Sequence, residues 1–304
     1  MAKKILLIGG TGFIGKSVLK RLVEAGHNVI VLSRKEISSK EENVEYIKGN
    51  LLNIDSLVNA LNGIEIIIQA AQFPGHPVER PWKGRAYTYE GLDAEGTENV
   101  CKAIESAGIK GKLSQYIYLS GAGADMESQY PWTKAKQRAE RAIAELGIPY
   151  TVYRPSWVYG KGDQSMSKFI LFAKYFPFFP VIGNGKAPVN PLWVEDLSQI
   201  IFNSIDNENC LNRMINLGSS PEMNMKEVAK TVLRNTGNKK PIICHPKILM
   251  KFAGLFAQFI PISPLSPNSV EFLTMDVHLN DLQEEINGVR IKKLEEGLQL
   301  SGML

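Results

Sequence analysis

Hydrophobic positions along the first half of the chain follow two different spacings. Short runs that are apolar at nearly every position are separated by longer segments in which apolar residues recur every three or four positions. Six such runs occur up to residue 155: KILLIG, NVIVLS, VEYIKG, IEIIIQAA, QYIYLS and YTVYRP. Strands buried on both faces of a parallel sheet have this unbroken apolar character. The pattern therefore predicts an α/β fold with a doubly wound parallel sheet.

The segments between these runs predict helices that end at glycine. Helical spacing covers four segments, 13–26, 53–61, 93–108 and 132–146. A glycine closes or follows each of them, at Gly26, Gly63, Gly108 and Gly147. Glycine readily adopts the left-handed conformation that ends a helix, so these positions mark the expected C-terminal caps.

Beyond residue 160 the pattern changes to longer loops that carry proline, glycine and aromatic residues, with shorter helices between them. No low-complexity tract or linker separates the two halves. We therefore expect one domain over 1–160 and a smaller, mostly helical region over 161–304, of which about 187–206 returns to pack on the first domain.

Composition excludes several classes of protein. The 304 residues carry a net charge of +4 that is spread along the chain, so we expect a solvated surface and no nucleic-acid partner. No apolar run approaches the length of about 18 residues that a membrane span needs. Three cysteines and four scattered histidines (Cys101, Cys210, Cys244, His27, His76, His245 and His278) form neither a disulfide framework nor a metal motif. A reducing, cytoplasmic location is expected.

A glycine-rich stretch, GGTGFIG, follows the first strand and opens the first helix. Glycine permits a tight turn and a close backbone approach, while the amides at a helix N-terminus attract pyrophosphate. The context predicts a dinucleotide site, although a turn that serves helix packing alone would share the pattern. The predicted phosphate loop comprises Gly9, Thr11, Gly12, Phe13, Ile14 and Gly15.

This G-x-x-G-x-x-G spacing resembles the short-chain dehydrogenase/reductase superfamily, particularly its extended and atypical branches. Five further segments agree: GNLLNIDSL, IIIQAAQ, GLDAEGTENV, YRPSWVYGKGD and NPLWVEDLSQII. The resemblance implies a Rossmann domain with a substrate-side C-terminal region and a nicotinamide dinucleotide. It also implies cofactor contacts from Asn50, Leu51, Ala70, Ala71, Gln72, Pro155, Ser156 and Val158.

The end of the second strand, VIVLSRKE, bears on the choice of cofactor. NAD-specific proteins usually carry a carboxylate there, which binds both ribose hydroxyls and would repel a 2'-phosphate. Here Ser33 takes that place and is followed by Arg34 and Lys35. A hydroxyl and a guanidinium suit a phosphate, so we expect NADP(H) rather than NAD(H). Alternatively, Arg34 is a solvated charge at the end of a strand.

Tyr130 and Lys134 form a Y-x-x-x-K pattern at the head of a predicted helix, which places both side chains on one helical face. In the superfamily that tyrosine exchanges a proton with the substrate, and the lysine holds the nicotinamide ribose. The resemblance implies these roles here and a catalytic role for Ser120. Two features depart from the pattern: Ser120 is followed by Gly121 and Ala122 rather than by further hydroxyls, and the segment between Ser120 and Tyr130 is short.

This shortened arrangement is most similar to the atypical branch that includes the nucleotide-binding accessory subunit of mitochondrial complex I. Three functions follow as hypotheses. The first is an NADP(H)-dependent oxidoreductase acting on an apolar or bulky carbonyl or alcohol, a small-molecule substrate. The second is an inactive NADP(H)-bound structural or assembly protein. The third is an NAD-dependent sugar-nucleotide epimerase or dehydratase.

An apolar helical stripe near the C-terminus has four interpretations: a lid over an apolar substrate, a peripheral membrane contact, a protein contact, or a helix packed on its own core. It is expected over 248–260, is followed by Pro261 and Pro264, and is too short to span a bilayer. The stripe comprises Ile248, Leu249, Phe252, Leu255, Phe256 and Phe259.

Overall fold

The computed structural model describes residues 2–38, 41–73, 78–127, 130–259 and 265–304. His76, Ile260, Pro261 and Pro264 lie outside the described residues. The strands are β1 (Lys4–Ile8), β2 (Asn28–Ser33), β3 (Val44–Lys48), β4 (Ile66–Gln69), β5 (Gln115–Leu119), β6 (Tyr150–Pro155), β7 (Val158–Tyr159), β8 (Phe179–Ile182), β9 (Pro188–Val189), β10 (Leu192–Trp193), β11 (Arg213–Leu217), β12 (Met223–Asn224), β13 (Ile242–His245), β14 (Glu285–Ile286) and β15 (Val289–Arg290). The α-helices are α1 (Phe13–Glu24), α2 (Ile54–Ala60), α3 (Gly96–Ser106), α4 (Pro131–Glu145), α5 (Met166–Tyr175), α6 (Val194–Asn203), α7 (Met225–Asn235), α8 (Lys247–Ala257), α9 (Pro267–Phe272) and α10 (Leu294–Leu300).

A seven-stranded parallel sheet forms the centre of the fold, in the order β11-β6-β5-β4-β1-β2-β3. Leu6 of β1 lies opposite Ile30 of β2 and Ile67 of β4, so β1 is enclosed on both sides. The strand order reverses between β1 and β4, which is where open α/β sheets bind ligands at their carboxyl ends. The prediction of a doubly wound α/β fold is confirmed.

Helices cover both faces of this sheet. On one face α2, α3 and α4 pack over apolar side chains that include Leu6, Ile67 and Tyr116. On the other face α1 and α6 pack over side chains that include Leu7 and Ile68. The alternation of Leu6 and Leu7 between the two faces explains why the strand sequence is apolar at every position.

The seventh strand, β11, was not among the predicted strands. It lies at the edge of the sheet and pairs with β6 in parallel, with Ile215 opposite Tyr153. Its N-terminal half is exposed and its sequence, RMINL, is short and mixed in polarity. Local periodicity therefore gave no strand signal, and pairing with β6 decides its conformation.

The four predicted helix ends are confirmed, since Gly26, Gly63, Gly108 and Gly147 all have positive φ. The third helix begins earlier than predicted, in a π-helical turn over residues Glu90–Glu95 that runs directly into α3. Gly91 lets this turn approach the backbone of Arg85, where a Cβ would overlap the Arg85 carbonyl oxygen.

The second half of the chain returns to the sheet through α6, which packs on α1. Arg21 of α1 donates hydrogen bonds to Ser198 at 2.7 Å and to the carboxylate of Glu195 at 2.8 Å. These contacts lie within the stretch 187–206 that was expected to return; the domain boundary at residue 160 remains a prediction. Among the helices described, none is both long and apolar enough to cross a membrane.

Candidate functional site

The glycine loop between β1 and α1 folds tightly against the end of β4. Gly9 has a φ of +95°, and a Cβ there would lie 2.5 Å from the backbone nitrogen of Ala71. A Cβ on Gly15 would overlap the carbonyl oxygen of Gly9, which also accepts a hydrogen bond from the Gly12 amide at 2.9 Å. The two glycines therefore allow the close backbone packing that shapes the loop, and a loop of this shape before a helix forms a cradle suited to a pyrophosphate.

The N-terminus of α1 points its first amides into this cradle. Its N-cap residue is Gly12, so no side chain caps the first amides of the helix. The first turn contains no acidic residue. Thr11 and Gly12 are exposed, and the ring of Phe13 packs beside Gly160 and Gly162. The amides and the helix dipole together favour an anion at this end of the helix.

The carboxyl ends of β2 and β3 form a basic edge. Ser33 is buried, and its hydroxyl accepts a hydrogen bond from the Lys35 amide at 3.2 Å. The side chains of Arg34 and Lys35 are exposed. Lys48, the register partner of Ser33 on β3, is exposed as well. Lys48 was missed in the sequence, because only the pairing of β2 with β3 brings it beside the predicted group.

The residues after β3 and β4 that were expected to contact the cofactor are held by hydrogen bonds to backbone groups. Asn50 accepts a bond from the Leu52 amide at 3.1 Å through its side chain, and the carbonyl of Leu51 accepts one from Asn99 at 3.0 Å. The amides of Ala70 and Ala71 both donate to the carbonyl of Ile8, at 2.8 and 3.0 Å, while Gln72 is exposed.

The two bonds to Ile8 attach the end of β4 to the start of the glycine loop. The glycine loop and the segment Ala70 to Gln72, both predicted to contact the cofactor, therefore lie together at the switch point of the sheet.

The remaining residues predicted to contact the cofactor, Pro155, Ser156 and Val158, lie at the end of β6 and just after it. The amide of Ser156 donates to Leu217 at 2.8 Å, and its hydroxyl accepts a bond from the Asn190 amide at 3.3 Å. Pro155 ends β6, and Val158 pairs with Leu192 in the short sheet β7-β10. The later part of the chain thus fixes this loop.

Ser120 lies in a buried polar cluster. Its hydroxyl donates to Glu140 at 2.5 Å, and Arg154 holds the same carboxylate with two hydrogen bonds of 3.0 and 2.6 Å. Arg154 also contacts Asp125 at 3.1 Å. In this conformation the Ser120 hydroxyl is bonded to a carboxylate rather than directed at a substrate carbonyl.

Tyr130 and Lys134 occupy different surroundings on the first turns of α4. Tyr130 is the N-cap residue and is half-buried, and its hydroxyl lies 3.4 Å from a carboxylate oxygen of Glu271. That carboxylate also pairs with Lys247, at 2.6 Å, and with Lys251. Lys134 is exposed. Tyr130 therefore faces α9 and α8, while Lys134 lies on the outer face of α4.

The sequence analysis missed a buried lysine two residues further along α4. Lys136 Nζ donates to Asp93 at 3.2 Å, and to the Tyr118 hydroxyl and the Leu119 carbonyl at 3.4 Å each. All four residues are buried, and Asp93 Oδ2 has no hydrogen-bond partner among the described residues. Burial raises the pKa of the Asp93 carboxyl above its usual value, and the Lys136 ammonium opposes that rise.

Lys136 could have been found from the helical pattern of α4. It shares the buried face of the helix with Trp132, Ala139 and Ile143, at the spacing of neighbouring turns. A lysine on the apolar face of a helix needs a partner, whereas Lys134 is on the solvated face. The structure supplies that partner from the π-helical turn.

An aromatic cavity of about 20 Å³ lies at the N-terminus of α4. Tyr89, Tyr130, Trp132 and Phe272 line it, together with Pro131 and Asn268. The indole nitrogen of Trp132 is buried without a hydrogen-bond partner among the described residues. A Cβ added at Gly121, just after β5, would lie 3.5 Å from the Trp132 ring. The cavity therefore adjoins the carboxyl end of the sheet.

Comparison with known proteins supports this cofactor site. A family model described as NAD(P)H-binding matches residues 9–172, more than half of the chain. Subunit 9 of the NADH dehydrogenase [ubiquinone] 1 alpha subcomplex, mitochondrial, of Arabidopsis thaliana is 23% identical over 74% of this chain, which spans 56% of that relative's length. Phenylcoumaran benzylic ether reductase PT1 of Pinus taeda is 25% identical over 70% of this chain and 68% of its own.

Among solved structures, the epimerase Mth375 of Methanothermobacter thermautotrophicus superposes with a TM-score of 0.71, covering 99% of this chain and 91% of its own at 18% identity. At that identity the likeness establishes the fold alone. The family match begins at Gly9 and covers the glycine loop and strands β2 to β7. The chain belongs to the NAD(P)H-binding family.

Proposed function

We propose that this protein is an NADP(H)-dependent oxidoreductase that acts on an apolar or bulky carbonyl or alcohol. The observation that carries the proposal is the cradle formed by Gly9, Gly12 and Gly15 at the switch point of the sheet, beside ionisable groups at the ends of β4 and β5. When bound, the dinucleotide would supply or accept the hydride. The pyrophosphate would lie on the α1 amides.

The preference for NADP(H) rests on charge at the ends of β2 and β3. Arg34, Lys35 and Lys48 are exposed there, and Ser33 replaces the carboxylate that would repel a 2'-phosphate. A planar guanidinium can bind a phosphate through two hydrogen bonds. The same charges disfavour the alternative of a sugar-nucleotide epimerase with tightly held NAD.

In the proposed reaction Tyr130 exchanges the proton with the substrate oxygen. Tyr130 lines the aromatic cavity with Tyr89 and Trp132, and this cavity of about 20 Å³ would have to widen for an apolar substrate to contact their rings. Its hydroxyl donates to Glu271 in this structure, and the substrate oxygen would replace that carboxylate as the hydrogen-bond acceptor. Tyr130→Phe should then abolish turnover while leaving NADPH binding intact; turnover that survives this change would exclude Tyr130 as the proton donor.

Two lysines are candidates for the group that holds the nicotinamide ribose. The superfamily pattern favours Lys134, whereas the structure buries Lys136 at the ends of β4 and β5 and leaves Lys134 exposed. The matched variants Lys134→Met and Lys136→Met separate the two. Replacing the lysine that contacts the ribose should raise the KM for NADPH, and replacing the other should not. We favour Lys136 on the basis of its position.

A second function is supported by the Ser120 hydroxyl, which is bonded to Glu140. With this group engaged, the chain would bind NADPH without turning over a substrate, as a structural or assembly protein. The Arabidopsis relative is itself a subunit of a larger complex by its name. Purification with retained NADPH and no turnover across a broad carbonyl panel would favour this function over the first.

A further inference from the structure

Helix α8 presents an apolar surface to solvent. Its outward residues Ile248, Leu249, Phe252, Leu255 and Phe256, with the following Phe259, are 48 to 83% exposed. Trp82, which is 58% exposed, extends this surface through a contact with Phe259 at a ring distance of 5.9 Å. These seven residues are called the α8 face. The interpretation of the stripe as a helix packed on its own core is therefore wrong.

The opposite side of α8 is what attaches it to the protein. Gly254 packs so closely on the start of α9 that a Cβ would lie 2.7 Å from the carbonyl carbon of Ser266. Lys247 and Lys251 both pair with Glu271 of α9. Since these inward contacts hold the helix, the α8 face contributes little to folding. Apolar patches of this kind on soluble domains mark interaction sites.

The charges around the α8 face are predominantly positive. Segments 78–89 and 247–259 together contain five basic residues, Arg80, Lys83, Arg85, Lys247 and Lys251, and one acidic residue, Glu79. Glu79 is half-buried and accepts a hydrogen bond from the Tyr89 amide at 2.8 Å. Arg85 pairs with Glu95 of the neighbouring helical turn. Lys247 and Lys251 share Glu271 on the opposite side of α8, so with these partners counted the basic residues exceed the acidic ones by two. This excess of positive charge beside the α8 face is complementary to an anionic surface.

The shape and chemistry of the α8 face favour a lipid surface over a protein. The helix presents aliphatic and aromatic side chains with no charged residue among the seven. A protein partner gains specificity from matched polar groups, whereas a bilayer requires only apolar area and attraction to its headgroups. At 11 residues α8 is too short to span a membrane but suits the interfacial plane, where tryptophan is also favoured.

We propose that the α8 face binds the surface of a lipid bilayer that contains anionic headgroups. Phe252, Phe256 and Leu255 enter the boundary of the acyl chains, while Lys83 and Arg80 lie at headgroup level beside Trp82. The proposal goes beyond the oxidoreductase function and does not depend on turnover. It places the membrane beside α9, the helix that contacts Tyr130.

The test uses flotation of the purified full chain with vesicles of phosphatidylcholine alone or mixed with phosphatidylglycerol. The double variant Phe252→Ser and Phe256→Ser removes two rings from the α8 face. Its matched control is Leu171→Ser and Tyr175→Ser on α5, which removes two exposed apolar side chains outside that face. NADPH binding, measured in parallel without vesicles, reports whether each variant keeps the folded cofactor site.

We expect the wild type and the α5 control to bind the mixed vesicles. The α8 variant should bind them at least about tenfold more weakly, because two apolar side chains have been removed. Salt and Lys83→Glu should weaken binding as well. The proposal is overturned if the wild type binds neither vesicle, or if the α8 variant binds as well as the control. It is also overturned if the wild type binds no vesicles and forms a dimer, while the α8 variant is a monomer and the α5 control remains a dimer. None of these results depends on the oxidoreductase assay, so the two proposals can fail separately.

Discussion

The ammonium of Lys136 lies 3.2 Å from a carboxylate oxygen of Asp93, and both side chains are buried beneath the carboxyl ends of β4 and β5. Phe73 donates a backbone hydrogen bond to the same oxygen at 3.2 Å. The pair connects α4 to the π-helical turn that precedes α3. A buried charge that loses its partner is strongly destabilising, because its desolvation is no longer offset.

Lys136→Met should therefore lower the free energy of unfolding by about 3 to 5 kcal/mol, since it leaves Asp93 buried and unpaired. Urea denaturation measures the change. The control is Lys134→Met on the exposed face of the same helix, which should cost less than about 1 kcal/mol. Equal losses from the two variants would contradict the assignment of Lys136 as the buried partner.

Replacing Gly15 with alanine should remove nucleotide binding, because the added Cβ overlaps the carbonyl oxygen of Gly9 and forces the loop open. Gly147→Ala is a matched control: it also adds one methyl group, but nothing lies within 4 Å and only its positive φ opposes the change. That control should cost about 1 kcal/mol of stability and leave the dissociation constant for NADPH unchanged. Nucleotide titration by fluorescence checks both variants.

Arg34→Glu should weaken NADPH binding by about ten- to a hundredfold, the loss of one charged hydrogen-bonding partner of the 2'-phosphate. NADH lacks that phosphate, so its affinity for the same variant provides the internal control and should stay the same or increase. Unchanged NADPH affinity would show that Arg34 is only a solvated charge at the end of β2.

Acid should destabilise the fold through His27. Burial lowers the pKa of this imidazole, and its Nδ1 accepts a hydrogen bond from the Lys3 amide at 3.0 Å, which the protonated ring could not do. Because the folded-state pKa lies below the unfolded value of about 6.5, the stability from neutral His27 is complete above that pH and is lost as the pH falls through the folded-state pKa.

The melting temperature of the wild type should consequently fall more steeply between neutral and mildly acidic pH than that of His27→Gln. His278→Gln serves as the comparison. The hydrogen bond that the His278 ring donates to the Glu222 carboxylate raises the pKa of this exposed ring, so its replacement should leave the acid-induced loss in place. A parallel pH dependence in the wild type and His27→Gln would rule out His27 as the sensitive group.

The sequence by itself determined the elements whose signals are local. Six strands of the central sheet, the start of α1 at Phe13 and the four glycine caps follow from hydrophobic period and backbone preference, which neighbouring residues fix. The glycine loop is of the same kind, because its spacing requires close backbone packing wherever it follows a buried strand.

Tertiary structure decided the surroundings of individual side chains. Pairing with β6 made a strand of Arg213–Leu217, and the register of β2 with β3 brought Lys48 to the basic edge. Contacts between elements distant in sequence directed Ser120 to Glu140 and Lys136 to Asp93. The outward direction of the α8 face was decided in the same way, because an apolar stripe specifies that a helix has a side to bury and only its packing on α9 shows which side remains exposed.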